Sequence, residues 1–250
     1  MKIKNTRLIR LFNQKFYVEQ KVNEIFWNSF ENSLWEIDNL SFLIKNANEG
    51  NVFIDVGSWI GPYTLLTASM GMRVYSFEPD FEAFRILKKN IEINEFKYQP
   101  QIFNYALSNS RSKSVLYSST GNFGESISTL VPNKSLKNTM KTSCEIFSST
   151  IQNIINNNNK NSGYFILKID IEGHEFKIEK NIYDIIRKNK IICLISYHAF
   201  IFNHNLILKY YHRVRTIFFQ SFLVKIFPKK DNFFRNSLKI IRISSILKSY

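Results

Sequence analysis

From Glu19 to Lys45 apolar residues recur at threes and fours, at Val22, Ile25, Phe26, Phe30, Leu34 and Ile37. That is helical spacing, and Trp27 and Trp35 add large apolar area, so the stretch is expected to pack as a helix over the core. Residues 1–18 read as a short basic and apolar lead-in, and Asn46–Asn51, with Gly50, as a turn. At Val52 the pattern becomes a continuous apolar strand, Val52–Val56, that runs into a tight turn at Gly57 and releases a helix near Gly61. Pro62 suits a first helical position, and a short helix over Thr64–Met70 stops at Gly71. A strand at Arg73–Phe77 closes on Glu78 and Pro79, a helix follows at Phe81–Ile93 with Phe84, Leu87, Lys88 and Ile91 on one side, and a strand spans Gln101–Ala106.

Short apolar strands joined by helices specify a parallel sheet with helices on its faces. Right-handed crossovers then place the loops at Gly57, Glu78 and Ala106 along one sheet edge, where they converge. Further on, Ser112–Ser118 is a strand, Gly121–Asn138 a polar excursion suited to a hairpin over that edge, Ser143–Phe147 a strand, Thr150–Ile155 a short helix, and Asn156–Asn161 a low-complexity loop. Tyr164–Ile169 is a strand ending in Asp170, Glu175–Ile185 a helix, and Ile191–Ser196 a strand with His198 just past its end. A helix at Leu206–Phe219 and a strand at Ile240–Ile246 are expected in the remainder. The chain divides into a helical lead-in (1–48), a core (49–204) and a basic aromatic extension (205–250).

The 250 residues, 44% hydrophobic, suffice for one well-filled core. The net charge of +14 is uneven: residues 205–250 hold ten basic side chains and one acidic, residues 1–50 seven and six. A local basic patch argues for an anionic surface or ligand rather than a whole protein wrapped by nucleic acid. Leu206–Phe227 could lie on an anionic membrane, and Tyr210 and Tyr211 could stack on RNA bases, though no RNA-binding module is present. Cys144 and Cys193 lie in apolar runs and read as buried free thiols of a reducing compartment. No secretory signal is expected, and no stretch reaches the roughly 18 apolar residues of a spanning helix. A cytoplasmic protein, with peripheral membrane association and homo-oligomers both open, is the expectation.

Glu78 follows Gly57 at the end of the next strand, where a carboxylate can accept hydrogen bonds from both ribose hydroxyls. The run Asp55-Val-Gly-Ser-Trp-Ile-Gly61 departs from the G-x-G-x-x-G of dinucleotide folds, and Trp59 and Ile60 would crowd a pyrophosphate. S-adenosylmethionine, with a ribose and no phosphate, fits better. Lys168-Ile-Asp-Ile-Glu-Gly-His-Glu175 gathers ionisable groups at a strand end: Asp170 is placed to face the cofactor, and Glu172 and His174 to orient or deprotonate a hydroxyl. His198 joins that edge. A divalent metal on Asp170, Glu172 and a histidine is the less favoured alternative, since no H-x-x-x-H spacing supports it.

The chain resembles the FkbM family of S-adenosylmethionine-dependent methyltransferases. The resemblance runs through Trp35-Glu36, Val52–Leu66 (VFIDVGSWIGPYTLL), Tyr75–Asp80 (YSFEPD), Leu87–Asn94, Asn104–Ser108 (NYALS), Thr150–Ile154, Leu167–Glu175 (LKIDIEGHE) and Ile195–His198 (ISYH). It implies a doubly wound, mostly parallel, seven-stranded Rossmann-like class I methyltransferase sheet. It also implies a methionine site at Asp55, Gly57, Ser58 and Gly61 with Tyr63 and Thr64 beside it, the ribose at Glu78 and Pro79, and adenine near Asn104 and Ala106. Trp35, Glu36, Trp59 and His198 would meet the acceptor. Gln152 stands where relatives often have Asp, and Ser196 where many have Glu. The implied reaction is O-methylation of a sugar or glycan acceptor, with lipid-linked or phosphorylated glycans among the candidates; methylation of RNA and a non-catalytic, membrane-peripheral binding role are the alternatives.

Overall fold

The computed structural model describes residues 5–118, 122–132, 138–159, 164–189, 191–197 and 224–228. His198, the Leu206–Phe219 helix and the Ile240–Ile246 strand lie outside the described residues, as does most of Leu206–Phe227.

The chain opens with an antiparallel hairpin, β1 (Thr6–Leu11) and β2 (Gln14–Glu19), where a plain lead-in was expected. Ile9, Leu11, Phe16 and Val18 alternate inward, and the two-residue turn Phe12-Asn13 has φ of +49° and +64°, the twist that hairpin loops favour. The expected single helix is two, α1 (Glu24–Glu31) and α2 (Ile37–Asn46), separated by left-handed residues at Ser33 and Glu36. The break puts Ile25 and Leu34 in solvent while Trp27, Phe30, Leu40 and Leu43 enter the core.

Next come β3 (Val52–Val56), α3 (Pro62–Ser69), β4 (Arg73–Phe77), α4 (Phe81–Glu92) and β5 (Gln101–Phe103). The expected strand Gln101–Ala106 ends at Phe103, and β6 (Ala106–Ser108) passes to a second sheet with β7 (Ser112–Ser118), β8 (Ser128–Thr129) and β9 (Asn138–Ile146). There β6 runs parallel to β9, and β7 antiparallel to both β8 and β9. Helix α5 (Phe147–Asn158) absorbs residues read as strand end and loop, because Phe147, Ile151, Ile154 and Ile155 bury one helical face. The chain continues through β10 (Phe165–Ile169), α6 (Glu175–Lys188), β11 (Ile191–Tyr197) and β12 (Val224–Pro228).

The main sheet has the order β12-β11-β10-β3-β4-β5, six parallel strands among the described residues, against the seven expected. Strand order moves one way from β3 to β5 and the other way from β10 to β12, so the switch point lies between β3 and β10. In doubly wound sheets ligands bind outside the carboxyl ends of the strands at that point. One core packs the hairpin and α1–α4 on one face; the other packs α5 and α6 on the opposite face.

Candidate active site

Strand alternation decides which groups face the switch point. Val52, Ile54 and Val56 of β3 and Phe165, Leu167 and Ile169 of β10 enter one core, and Phe53 and Ile166 the other. Asp55 and Lys168 continue the second series, and the register sets them side by side. Lys168 Nζ lies 3.2 Å from Asp55 Oδ1 and 3.9 Å from Asp170 Oδ2, donates to Gly57 O at 2.7 Å, and stands over the Tyr63 ring. Burial alone would lower the Lys168 pKa, but Asp55, Asp170 and Glu36 outweigh it and hold the ammonium charged. Thr64 Oγ1 donates to Asp55 Oδ2 at 2.8 Å and shares a 2.6 Å bond with Ser76.

The glycines serve packing within the protein. Gly57 has φ +82°, and a Cβ there would sit 1.9 Å from the backbone oxygen of Asp170; at Gly61, φ +95°, it would sit 2.5 Å from Leu87 Cδ1. Gly57 therefore lets the ends of β3 and β10 close on each other. Gly57→Ala is expected to lose roughly 3 kcal/mol or more of stability. A urea midpoint close to that of the wild type would contradict this.

Glu78 ends β4. Its Oε2 accepts from Trp59 N at 2.6 Å and its Oε1 from Asp80 N at 2.9 Å. Burial raises its pKa to about 8 against the pull of those two donors. Asn104 Nδ2 donates to Glu78 O at 2.9 Å, so Asn104 holds the backbone of Glu78.

After β10 the chain reverses through Glu172 and Gly173, φ +51° and +98°. The Glu175 carboxylate fastens this turn by accepting from Ile171 N and Gly173 N, each at 2.8 Å. His174, at the start of α6, is buried with Nε2 3.0 Å from Ser108 Oγ. Burial lowers its pKa to about 4, with Lys177 adding to the effect, so the imidazole is neutral at physiological pH.

These groups line one cleft, with about 910 Å³ of atom-free space including its mouth. Of the residues singled out from sequence, Gly57, Ser58, Glu78, Pro79, Ala106, Asp170, Glu172 and His174 lie in its wall, joined by Trp35, Glu36 and Trp59. Asp55, Gly61, Tyr63 and Thr64 are buried behind it. Sequence reasoning counted Lys168 among the ionisable groups but gave it no role, although a lysine inside an otherwise apolar buried strand was the signal for one. It also missed Glu125, Ser126, Ser128 and Leu130, which the polar excursion brings to the cleft. Gln152 instead bonds Asn189, tying α5 to the end of α6.

A profile of the methyltransferase FkbM domain matches residues 55–222. The chain belongs to the FkbM methyltransferase family. S-adenosylmethionine is therefore its cofactor. The cleft of this FkbM protein fits that group: Ser58 Oγ is buried in the wall with no protein hydrogen-bond partner, as expected of an atom that a ligand satisfies. Among the described residues the lining holds five carboxyl groups, Glu36, Glu78, Glu125, Asp170 and Glu172, and one ammonium, Lys168; even with Glu78 protonated the balance suits a sulfonium cation.

Seven chains of solved structures match, among them the SAM-dependent methyltransferase from Agrobacterium tumefaciens. That match has 11% identity and a TM-score of 0.38, and covers 77% of this chain and 53% of that one, a likeness too distant to carry residue roles. The chain spans about half the length of that relative. No curated protein matches the chain. Among the described residues no group of three or more His, Cys, Asp or Glu side chains is arranged to hold a metal ion, and no helix is long and apolar enough to cross a membrane.

Proposed function

We propose that this protein transfers the methyl group of S-adenosylmethionine to a hydroxyl of a sugar or glycan-containing acceptor. The observation that carries the reading is that Glu78 and His174 line the same cleft at the sheet's switch point. Glu78 would take the ribose hydroxyls, Gly57 and Ser58 the methionine part with Asp170 toward its ammonium, and Ala106 the adenine. Bound there, S-adenosylmethionine would supply a methyl group on a sulfonium with S-adenosylhomocysteine as the leaving group, and His174 would take the proton of the acceptor hydroxyl whose oxygen receives the methyl. Holding oxygen, carbon and sulfur in line supplies most of the rate, and a nearby base completes it.

The acceptor portion inside the cleft is an uncharged polyol, because four or five carboxylates repel a phosphate there and accept hydroxyl hydrogens well. Trp35 and Trp59 offer it apolar ring surfaces. A phosphate or lipid-linked portion would stay outside the cleft, and the basic composition of residues 205–250 suits such a portion and the peripheral contact of a cytoplasmic enzyme with an anionic membrane.

Titrating S-adenosylhomocysteine into the wild type and Glu78→Ala tests the assigned pocket. The variant is expected to bind about 100-fold more weakly, the equivalent of two hydrogen bonds to a charged group at roughly 1.5 kcal/mol each. Equal affinities would sink the pocket assignment.

A further inference from the structure

Residues 122–127 lead into the two-residue strand β8, and the stretch 122–130 has little other regular structure, yet it is held by side chains and backbone from the ends of three strands of the main sheet. The Gly124 peptide is gripped on both sides: its N–H donates to Asp80 Oδ2 at 2.9 Å, and its carbonyl accepts from Trp59 Nε1 at 2.8 Å. Ser128 Oγ donates to the same Asp80 Oδ2 at 3.0 Å, and Thr129 Oγ1 to Glu172 O at 2.6 Å. Loops ordinarily satisfy such groups with water.

The bonds form a closed ring. Trp59 N donates to Glu78 Oε2, the Trp59 indole to Gly124 O, Gly124 N to Asp80 Oδ2, and Asp80 N to Glu78 Oε1. Three loops meet in it: the turn after β3, the end of β4, and the excursion that carries Glu125, Ser126 and Ser128 to the cleft. Gly124 has φ +88°, and a Cβ there would lie 3.3 Å from Glu82 Cβ, so the strap sits against the start of α4.

We propose that Asp80 and Trp59 are positioning residues that fix the 122–130 strap as the acceptor-side wall of the cleft and couple its placement to the cofactor held by Glu78. This rests on the reading of Glu78 as the ribose ligand. Ribose hydroxyls donating to Glu78 favour its ionised form, and the Trp59 and Asp80 N–H groups then bond to a full negative charge, which strengthens two links of the ring. Donor binding thereby tightens the wall against which the acceptor must fit, and the hydroxyl and carboxylate groups on the strap select its orientation.

Asp80 does two jobs that one substitution separates. Its Oδ1 caps α4 by accepting from Glu82 N and Ala83 N, and its Oδ2 holds the strap. Asp80→Asn keeps the cap, since asparagine caps helices as well as aspartate does. It also turns an amide donor toward the Gly124 donor, breaking the ring. Trp59→Phe breaks it at the indole while retaining a ring against Phe26, 4.5 Å away between centroids.

Hydrogen–deuterium exchange of the full chain, with and without S-adenosylhomocysteine, tests the coupling. In the wild type saturating ligand is expected to slow exchange across 122–130 at least tenfold. In Asp80→Asn and Trp59→Phe that slowing is expected to disappear although the ligand still binds. In Asp80→Asn the Trp59 indole N–H resonance, assigned by its loss in Trp59→Phe, is expected to move toward the position of a free indole while those of Trp27 and Trp35 stay in place. Equal slowing in the variants, or none in a saturated wild type, would overturn the proposal. Failure of the wild type to bind S-adenosylhomocysteine would instead overturn the proposed function.

Discussion

Lys168→Met is expected to cost about 3–5 kcal/mol of stability, the range for removing one partner of a buried ion pair. The substitution takes away the ammonium that stands between Asp55 and Asp170 and leaves the Gly57 carbonyl without its donor. Asp55 is fully buried, so water cannot replace the lost charge. It must be protonated or remain uncompensated, and either state costs free energy. Adding Asp55→Leu is expected to recover part of the loss, because an apolar pair carries no such penalty. Urea unfolding of the three proteins measures this, and a loss below about 1 kcal/mol for Lys168→Met would contradict it.

His174→Ala is expected to lower turnover about 100-fold, toward the lower end of general-base effects because a base whose pKa is about 4 is a weak proton acceptor. S-adenosylhomocysteine affinity should change little, since the proposed contacts of the donor lie elsewhere in the wall. The rate is expected to rise with pH through about 4, where the imidazole loses its proton, in place of the ordinary histidine value of 6.5.

The same residue shapes acid stability. Its folded-state pKa lies below the unfolded value, so the unfolded chain binds more protons between pH 6.5 and 4. Stability therefore falls as pH drops through that window, by about 3 kcal/mol in all. His174→Ala should remove this slope. A kinetic limb near pH 6.5, or cofactor affinity that falls in step with turnover, would contradict the assigned role.

Much of the site was legible because strand ends carry their own punctuation. The Gly57 turn, Glu78 closing β4 and the ionisable run after β10 all belong to the cleft. Gly57 nevertheless marks the turn for a reason that only the packing reveals, the Asp170 carbonyl where its Cβ would be. The N-terminal hairpin was hidden because its turn is Phe12-Asn13, which lacks the usual glycine signal. Helix α5 was cut short in sequence by its run of asparagines. There Asn158 turns its amide back onto Ile154 O at 2.8 Å and also donates to Tyr75 Oη at 3.0 Å, so its polar group is satisfied without ending the helix. Lys168 stood in the ionisable run without a role because its nearest carboxylate, Asp55, comes from another strand 113 residues earlier, and only register brings the two together. The strap was foreseen as an excursion over the cleft, but Asp80 as its anchor was not, since its local pattern shows only a helix cap.

The most direct measurement is a crystal structure with S-adenosylhomocysteine bound. The ribose hydroxyls are expected to donate to the Glu78 carboxylate, with Ser58 Oγ bonded to the ligand and the sulfur facing the wall that holds His174. A ligand seated elsewhere, or one whose ribose avoids Glu78 while its sulfur turns away from His174, would contradict the assigned site.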